Sequence, residues 1–162
     1  MTIPQIRTGI GYDIHPFQNN RPLMIGGVEI PYSKGLAGHS DADVLCHAIS
    51  DALLGAAGEG DLGRHFPDTD PQYKDISSLR LLEKVCDRLK AGRFVVLHVD
   101  AVVIAQVPRL MPYLDAMRTK IAKTIGVEDG AVNIKAKTAE GLDSIGRGES
   151  IAAQAVCTIY RA

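Results

Sequence analysis

Gly38-His39-Ser40-Asp41-Ala42-Asp43-Val44-Leu45-Cys46-His47-Ala48-Ile49-Ser50-Asp51-Ala52-Leu53-Leu54-Gly55-Ala56-Ala57 is the most informative run in this chain of 162 residues. Val44, Leu45, Ala48, Ile49, Ala52 and Leu53 recur at helical spacing and make one apolar face. Ser40 reads as the N-cap, and Asp43, three positions on, closes a capping-box variant. The pattern predicts a helix from Asp41 to about Ala57, stopped by Gly58 and Gly60. Asp43, His47 and Asp51 stand at i, i+4 and i+8, so they share a face of that helix. The helix dipole accounts in part for Asp41 and Asp43, but not for Asp51 in the middle.

Helical and strand periods alternate on both sides of this run. Upstream, Thr8 to Ile14 reads as a strand ending at Pro16. Leu23-Met24-Ile25 and Val28-Glu29-Ile30 flank Gly26-Gly27, a hairpin signal, and Tyr32 to Gly38 reads as loop. Downstream, Asp61 to Pro71 is a polar loop held by prolines. Ser77 or Ser78 caps a second helix on Leu79, Leu82, Val85, Cys86 and Leu89, which Gly92 ends. Phe94 to Val107 is a long Val/Ile-rich strand, Met111 to Ile125 a third helix, and Val132 to Lys137 and Ile151 to Tyr160 the last strands. The expected fold class is α/β (α+β). One domain over residues 1–162 carries a mixed β-sheet with helices packed on one face, plus a small β-hairpin.

Composition narrows the function. Lys and Arg number 18 and Asp and Glu 19, so the net charge of -1 argues against nucleic-acid binding through overall positive charge. No apolar run approaches the roughly 20 residues that span a bilayer. Met1 to Arg7 carries neither a signal nor a transit pattern, so the expected compartment is the cytoplasm. Cys46, Cys86 and Cys157 are far apart and form no C-x-x-C pair, which is the pattern of three buried thiols rather than of a disulfide framework or cysteine zinc site.

Asp13 and His15 are two apart on a strand, so both leave one face. With His47 they offer three ordinary zinc ligands, which leave a tetrahedral position open. D-x-H alone equally fits a hydrogen bond at a strand end beside a core histidine. Asp51 is then a candidate partner orienting a ligand histidine. His39 and Ser40 stand where the free N–H groups of the helix start can help hold phosphate, or they are a plain cap. Asp61 beside Gly63 can hydrogen-bond a sugar diol, or lie in a solvated loop. Lys137-Thr138-Ala139-Glu140 offers lysine and hydroxyl to phosphate and a carboxylate to Mg²⁺, and Arg147 sits between Gly146 and Gly148 where it can reach an anion; a charged turn explains either segment as well.

Taken together, Gly9-Ile10-Gly11-Tyr12-Asp13-Ile14-His15, Ile25-Gly26-Gly27-Val28, the block Gly38 to Ala56, Asp61-Leu62-Gly63 with Phe66-Pro67-Asp68-Thr69-Asp70, Ile104-Ala105-Gln106-Val107-Pro108 and Gly146-Arg147-Gly148-Glu149 resemble the 2-C-methyl-D-erythritol 2,4-cyclodiphosphate synthase family. The resemblance runs through the whole chain and implies the following. Asp13, His15 and His47 hold one Zn²⁺ per subunit, and Glu140 binds Mg²⁺ or Mn²⁺ bridging the substrate phosphates. His39 and Ser40 grip phosphate, and His39 and Thr138 stabilise the transition state. Asp51 supports the zinc site or meets the erythritol hydroxyls. Asp61, Leu62 and Gly63, with Phe66 and Asp68, form the sugar side. Ala105, Pro108, Arg109, Leu110 and Met111 form a cytosine pocket, Lys137 and Thr138 contact the α-phosphate, and Arg147 faces a channel between subunits. The implied assembly is a homotrimer with active sites at subunit interfaces, acting on a cytidine diphosphate substrate, with no nucleic acid or membrane partner. Asp143-Ser144 stands where many members carry Gly-Phe, and Lys137 where some carry threonine.

The implied reaction turns 4-diphosphocytidyl-2-C-methyl-D-erythritol 2-phosphate into 2-C-methyl-D-erythritol 2,4-cyclodiphosphate and CMP. It is a phosphorus–oxygen lyase step of the non-mevalonate isoprenoid pathway. A zinc hydrolase would give linear phosphates instead, and a non-catalytic trimeric binding protein would release no CMP.

Overall fold

The computed structural model describes residues 5–162. Strand β1 (Ile6–Asn19) is followed by β2 (Leu23–Ile25), β3 (Val28–Ile30) and β4 (Lys34–Leu36). Helices α1 (Val44–Ala57), α2 (Leu62–His65) and α3 (Ser78–Ala91) come next, then β5 (Phe94–Ile104), α4 (Leu114–Ile125), β6 (Val132–Lys137), α5 (Asp143–Gly146) and β7 (Ser150–Arg161). The main sheet has the order β4-β1-β7-β5-β6; only β5 and β6 run parallel, and β2 and β3 form a separate hairpin. This is the expected mixed α+β domain with its small hairpin.

The apolar faces of α1, α3 and α4 join the inward residues of β5, β6 and β7 in one core. Helix α1 reaches the β1 backbone because Gly9 and Gly11 carry no side chain. A Cβ on Gly11 would overlap the Ala48 carbonyl, and one on Gly9 the Ala52 carbonyl. The other face of the sheet is bare. Ile6 is 62% exposed, Ile10 64% and Tyr12 55%, and Ile14, Val95, Leu97 and Val156 join them at the surface.

Several boundaries differ from expectation. Helix α1 starts at Val44, and its N-cap is Asp43 rather than Ser40. Ala42, at φ +57°, turns the chain just before it. That turn sends the carboxylates of Asp41 and Asp43 to different partners. Asp43, fully buried, accepts from the amides of Gly26 at 2.8 Å, Gly27 at 2.6 Å and Cys46 at 3.1 Å, which ties the hairpin to the helix. Burial and the nearby Asp41 charge push the Asp43 carboxyl up, and the three amides offset part of that. Asp41 accepts from the Ser78 amide at 3.1 Å and from the Ser78 hydroxyl, and so caps α3 from another part of the chain.

Strand β1 runs through Pro16 to Asn19, β4 occupies part of the expected loop, and β5 ends at Ile104 rather than Val107. Met111–Tyr113 forms a 3₁₀ turn before α4. The segments α2 and α5 are single turns without a periodic apolar signal. All three cysteines are free and buried, and burial pushes the Cys86 thiol up to about 12. Among the described residues, no helix is long and apolar enough to cross a membrane.

Candidate functional site

Gly9, Gly11, Asp13 and His15 share the inward face of β1. The glycines let α1 settle on the strand, and His47, one turn into the helix, arrives opposite Asp13. Asp13 Oδ2 lies 2.9 Å from His15 Nε2 and 2.9 Å from His47 Nδ1, and the two ring nitrogens are 3.2 Å apart. These three side chains are half-buried, and one ligand atom from each falls within 4.8 Å of the others.

The outer nitrogens of both rings are held. Ala37 donates its amide to the Pro16 carbonyl at 2.8 Å, as a strand neighbour would. Proline has no N–H to return the bond. The Ala37 carbonyl instead accepts from His15 Nδ1 at 2.6 Å. His47 Nε2 lies 2.9 Å from Ser78 Oγ and 3.1 Å from Ser40 Oγ. With the outer nitrogens donating, both facing nitrogens present lone pairs beside a carboxylate. Two imidazoles and a carboxylate with anchored outer nitrogens fit a divalent cation with an open coordination position. Without a cation, burial opposes charge on Asp13, but the hydrogen bonds and positive charges of His15 and His47, when protons sit on their facing nitrogens, together hold its carboxyl well below the usual range. Burial, the largest single influence, likewise lowers His15, but the hydrogen bond and charge of Asp13 with the Ala37 carbonyl together outweigh it and raise the imidazole pKa.

A cavity of about 250 Å³ opens above the triad, lined by His15, Gly38, His39, Ser40, His47, Leu62, Phe66, Asp68, Tyr73 and Leu81. It gathers His39, Ser40, Leu62, Phe66 and Asp68 from the sequence candidates. His39 Nε2 is tied to the Asp70 carbonyl at 3.1 Å. Asp51 touches neither histidine with a hydrogen bond; its Oδ1 accepts the Leu62 amide at 2.7 Å and fastens the loop to α1. Burial raises the Asp51 carboxyl, against that amide. Asp61 caps α2 by accepting the Arg64 amide at 2.9 Å, and Gly63 lies within that turn.

A second cavity, about 420 Å³, is lined by residues 105–111 and 136–138, which include Ala105, Pro108, Arg109, Leu110, Met111, Lys137 and Thr138. It shares no lining residue with the first. Ile14 of β1 and Ile104 of β5 both pair with Ala152 of β7, so both cavities lie at the same end of the sheet. Glu140 and Arg147 line neither. Thr138 Oγ1 donates to Glu140 at 2.8 Å, and Arg147 makes a two-pronged bond to Glu149 at 2.9 and 3.0 Å, all on the surface. Sequence reading missed Tyr73, Leu81 and the contact of Ser78 with His47. Ser78 carried a signal only as a helix start.

A half-buried histidine–histidine–carboxylate centre under a polar cavity, on an α+β sheet with a second cavity at the same edge, defines a candidate metal-dependent enzyme. The chain belongs to the YgbB family, whose model matches residues 6–160. It is 58% identical over 156 residues to 2-C-methyl-D-erythritol 2,4-cyclodiphosphate synthase of Desulforamulus reducens, covering 96% of this chain and 99% of that one. It superposes on the bifunctional IspDF of Campylobacter jejuni with a TM-score of 0.95 and 41% identity, over 99% of this chain but only 43% of that protein. A solved 2C-methyl-D-erythritol-2,4-cyclodiphosphate synthase in its CDP-bound form superposes with a TM-score of 0.85 and 33% identity, over 93% of this chain and 98% of that one.

Proposed function

We propose that this chain converts 4-diphosphocytidyl-2-C-methyl-D-erythritol 2-phosphate to 2-C-methyl-D-erythritol 2,4-cyclodiphosphate with release of CMP, as a phosphorus–oxygen lyase of isoprenoid biosynthesis. The observation that carries the reading is the convergence of Asp13, His15 and His47 beneath the cavity lined by His39 and Ser40, in a chain of this family. Bound zinc at the triad and Mg²⁺ or Mn²⁺ at Glu140 would supply Lewis acidity toward phosphate oxygens and a template for two polyanions.

The protein's own groups do the rest by positioning. An oxygen of the substrate 2-phosphate bonds to the β-phosphorus. The bond from that phosphorus to the oxygen shared with the α-phosphate breaks, and CMP leaves with that oxygen. No side chain serves as nucleophile. His39 and Ser40 grip the phosphates at the triad, and His39 and Thr138 meet the charge that develops in the transition state. Asp51 and Asp61, with the Leu62-Gly63 turn they hold, bear on the sugar hydroxyls. The cavity at residues 105–111 takes the cytosine, Lys137 and Thr138 take the α-phosphate, and Arg147 faces the inter-subunit channel.

The working form in this proposal is a homotrimer in the cytoplasm, each subunit one domain over residues 1–162. The bare apolar sheet face supports an assembly that covers it, since a lone subunit would leave Ile6, Ile10 and Tyr12 in water. Phosphorus-31 NMR of the reaction tests the activity. A cyclic diphosphate appearing with CMP supports it; linear phosphates, or no CMP, would refute it.

A further inference from the structure

We infer that Ser78, backed by Asp41, is a positioning residue for the metal centre, and that it leaves the Ser40 hydroxyl free for the substrate. The inference rests on the reading of Asp13, His15 and His47 as a cation site. A metal on His47 Nδ1 requires the proton of a neutral imidazole to sit on Nε2, where it needs an acceptor. Ser78 Oγ is the nearer of two hydroxyls, at 2.9 Å against 3.1 Å for Ser40. Ser78 is fully buried and does not line the cavity over the triad, and its Oγ has the Ser40 hydroxyl, at 3.3 Å, as a more distant neighbour than His47 Nε2. Its own proton goes to the Asp41 carboxylate, which is further fixed by the amides of Ser78 at 3.1 Å and Asp43 at 3.2 Å.

The chain of donors therefore runs from His47 Nε2–H to Ser78 Oγ and from Ser78 O–H to Asp41, each group used once in each sense. Such an outer carboxylate orients a ligand imidazole and raises its basicity, here through an intervening hydroxyl. Ser40 differs because it lines the cavity over the triad. Its hydroxyl sits 3.3 Å from Ser78 Oγ and accepts the Ala42 amide at 3.2 Å, so it can turn toward a ligand without releasing His47. The start of α3 thus sets the tautomer of a metal ligand on α1. That gives Asp41 a role beyond capping.

Zinc titration of the apo protein against a chromophoric chelator separates these roles. Ser78→Ala keeps its backbone amide and so keeps the α3 cap, but deletes the hydroxyl. Zinc affinity is expected to fall by about 10–100-fold, the usual cost of losing an outer partner of a metal ligand. Asp41→Asn keeps the shape and loses the charge, and is expected to weaken zinc in the same direction by a smaller factor. Ser40→Ala should bind zinc within about threefold of wild type, below the range set by loss of an outer partner. In the metal-free protein, the ¹⁵N shifts of the His47 ring should report an Nε2–H tautomer in the wild type and lose it in Ser78→Ala. A folded Ser78→Ala or Asp41→Asn that binds zinc as tightly as wild type, or a Ser40→Ala that alone loses it, overturns the assignment. If Ser78→Ala does not fold, the Asp41→Asn titration and the wild-type tautomer decide. Wild-type protein that takes up no zinc would instead refute the metal reading itself, whereas loss of zinc in His47→Ala alone would leave that reading intact and refute only the role of Ser78.

Discussion

The two cavities at one end of the sheet are built differently. Around the triad, polar side chains are tied to partners elsewhere in the chain: His15 to the Ala37 carbonyl, His47 to the Ser78 hydroxyl, Asp43 to the hairpin amides and Asp51 to the Leu62 amide. Around residues 105–147 the polar groups are exposed and bond chiefly to near neighbours, Thr138 to Glu140 and Arg147 to Glu149. The first half is preorganised by tertiary packing. The second presents groups that are open to solvent and held only by local bonds. Substitutions in the first half should therefore move both stability and function, and those in the second function alone.

The largest effect is expected for His47→Ala. It removes a ligand from the centre, and turnover should fall by at least about 100-fold, the low end for deleting one electrostatic contact to a reacting phosphate or carbonyl. Bound zinc, measured by mass spectrometry, should disappear with it. Asp43→Asn comes next. It leaves a buried amide facing a backbone donor and should cost about 2 kcal/mol, lowering the melting temperature by roughly 4–8 °C. A smaller, purely functional effect is expected across the sheet. Glu140→Gln should keep zinc and melting temperature while raising the Mg²⁺ concentration for half-maximal activity by about tenfold, since carboxylate count tunes such sites. An unchanged Mg²⁺ titration would remove Glu140 from the second ion. Arg147→Ala should leave the melting temperature unchanged, because its pair with Glu149 is solvent-exposed. A large loss in melting temperature there would break the contrast between the two halves.

The sequence carried the elements that depend on local pattern. Val132 to Lys137, the Gly26-Gly27 hairpin and the helix ending at Gly92 stand where periodicity and turn chemistry put them. The strand-face pairing of Asp13 and His15 leaves a plain hydrogen bond open, and only the family resemblance joins them to His47; the structure brings the three into a cluster that could hold a metal ion. What the sequence hid was decided by tertiary partners. Ser40 and Asp43 spelled a capping box, but the amides of Gly26 and Gly27 claim Asp43 and the turn at Ala42 shortens the helix. Asp51 looked like a partner for histidine, yet the Leu62 amide takes it. Ser78 read as a helix start because its contact with His47 crosses 31 residues, which no local pattern encodes. The strand through Pro16 was missed for a related reason: a proline is tolerated where the neighbouring carbonyl finds another donor, here His15.

X-ray absorption at the zinc edge of the native protein tests the central claim most directly. Two imidazole nitrogens and one carboxylate oxygen should appear near 2.0–2.1 Å together with a further light-atom ligand, and no sulfur. A sulfur shell near 2.3 Å, or protein that holds no zinc, would contradict the convergence of Asp13, His15 and His47 on one cation.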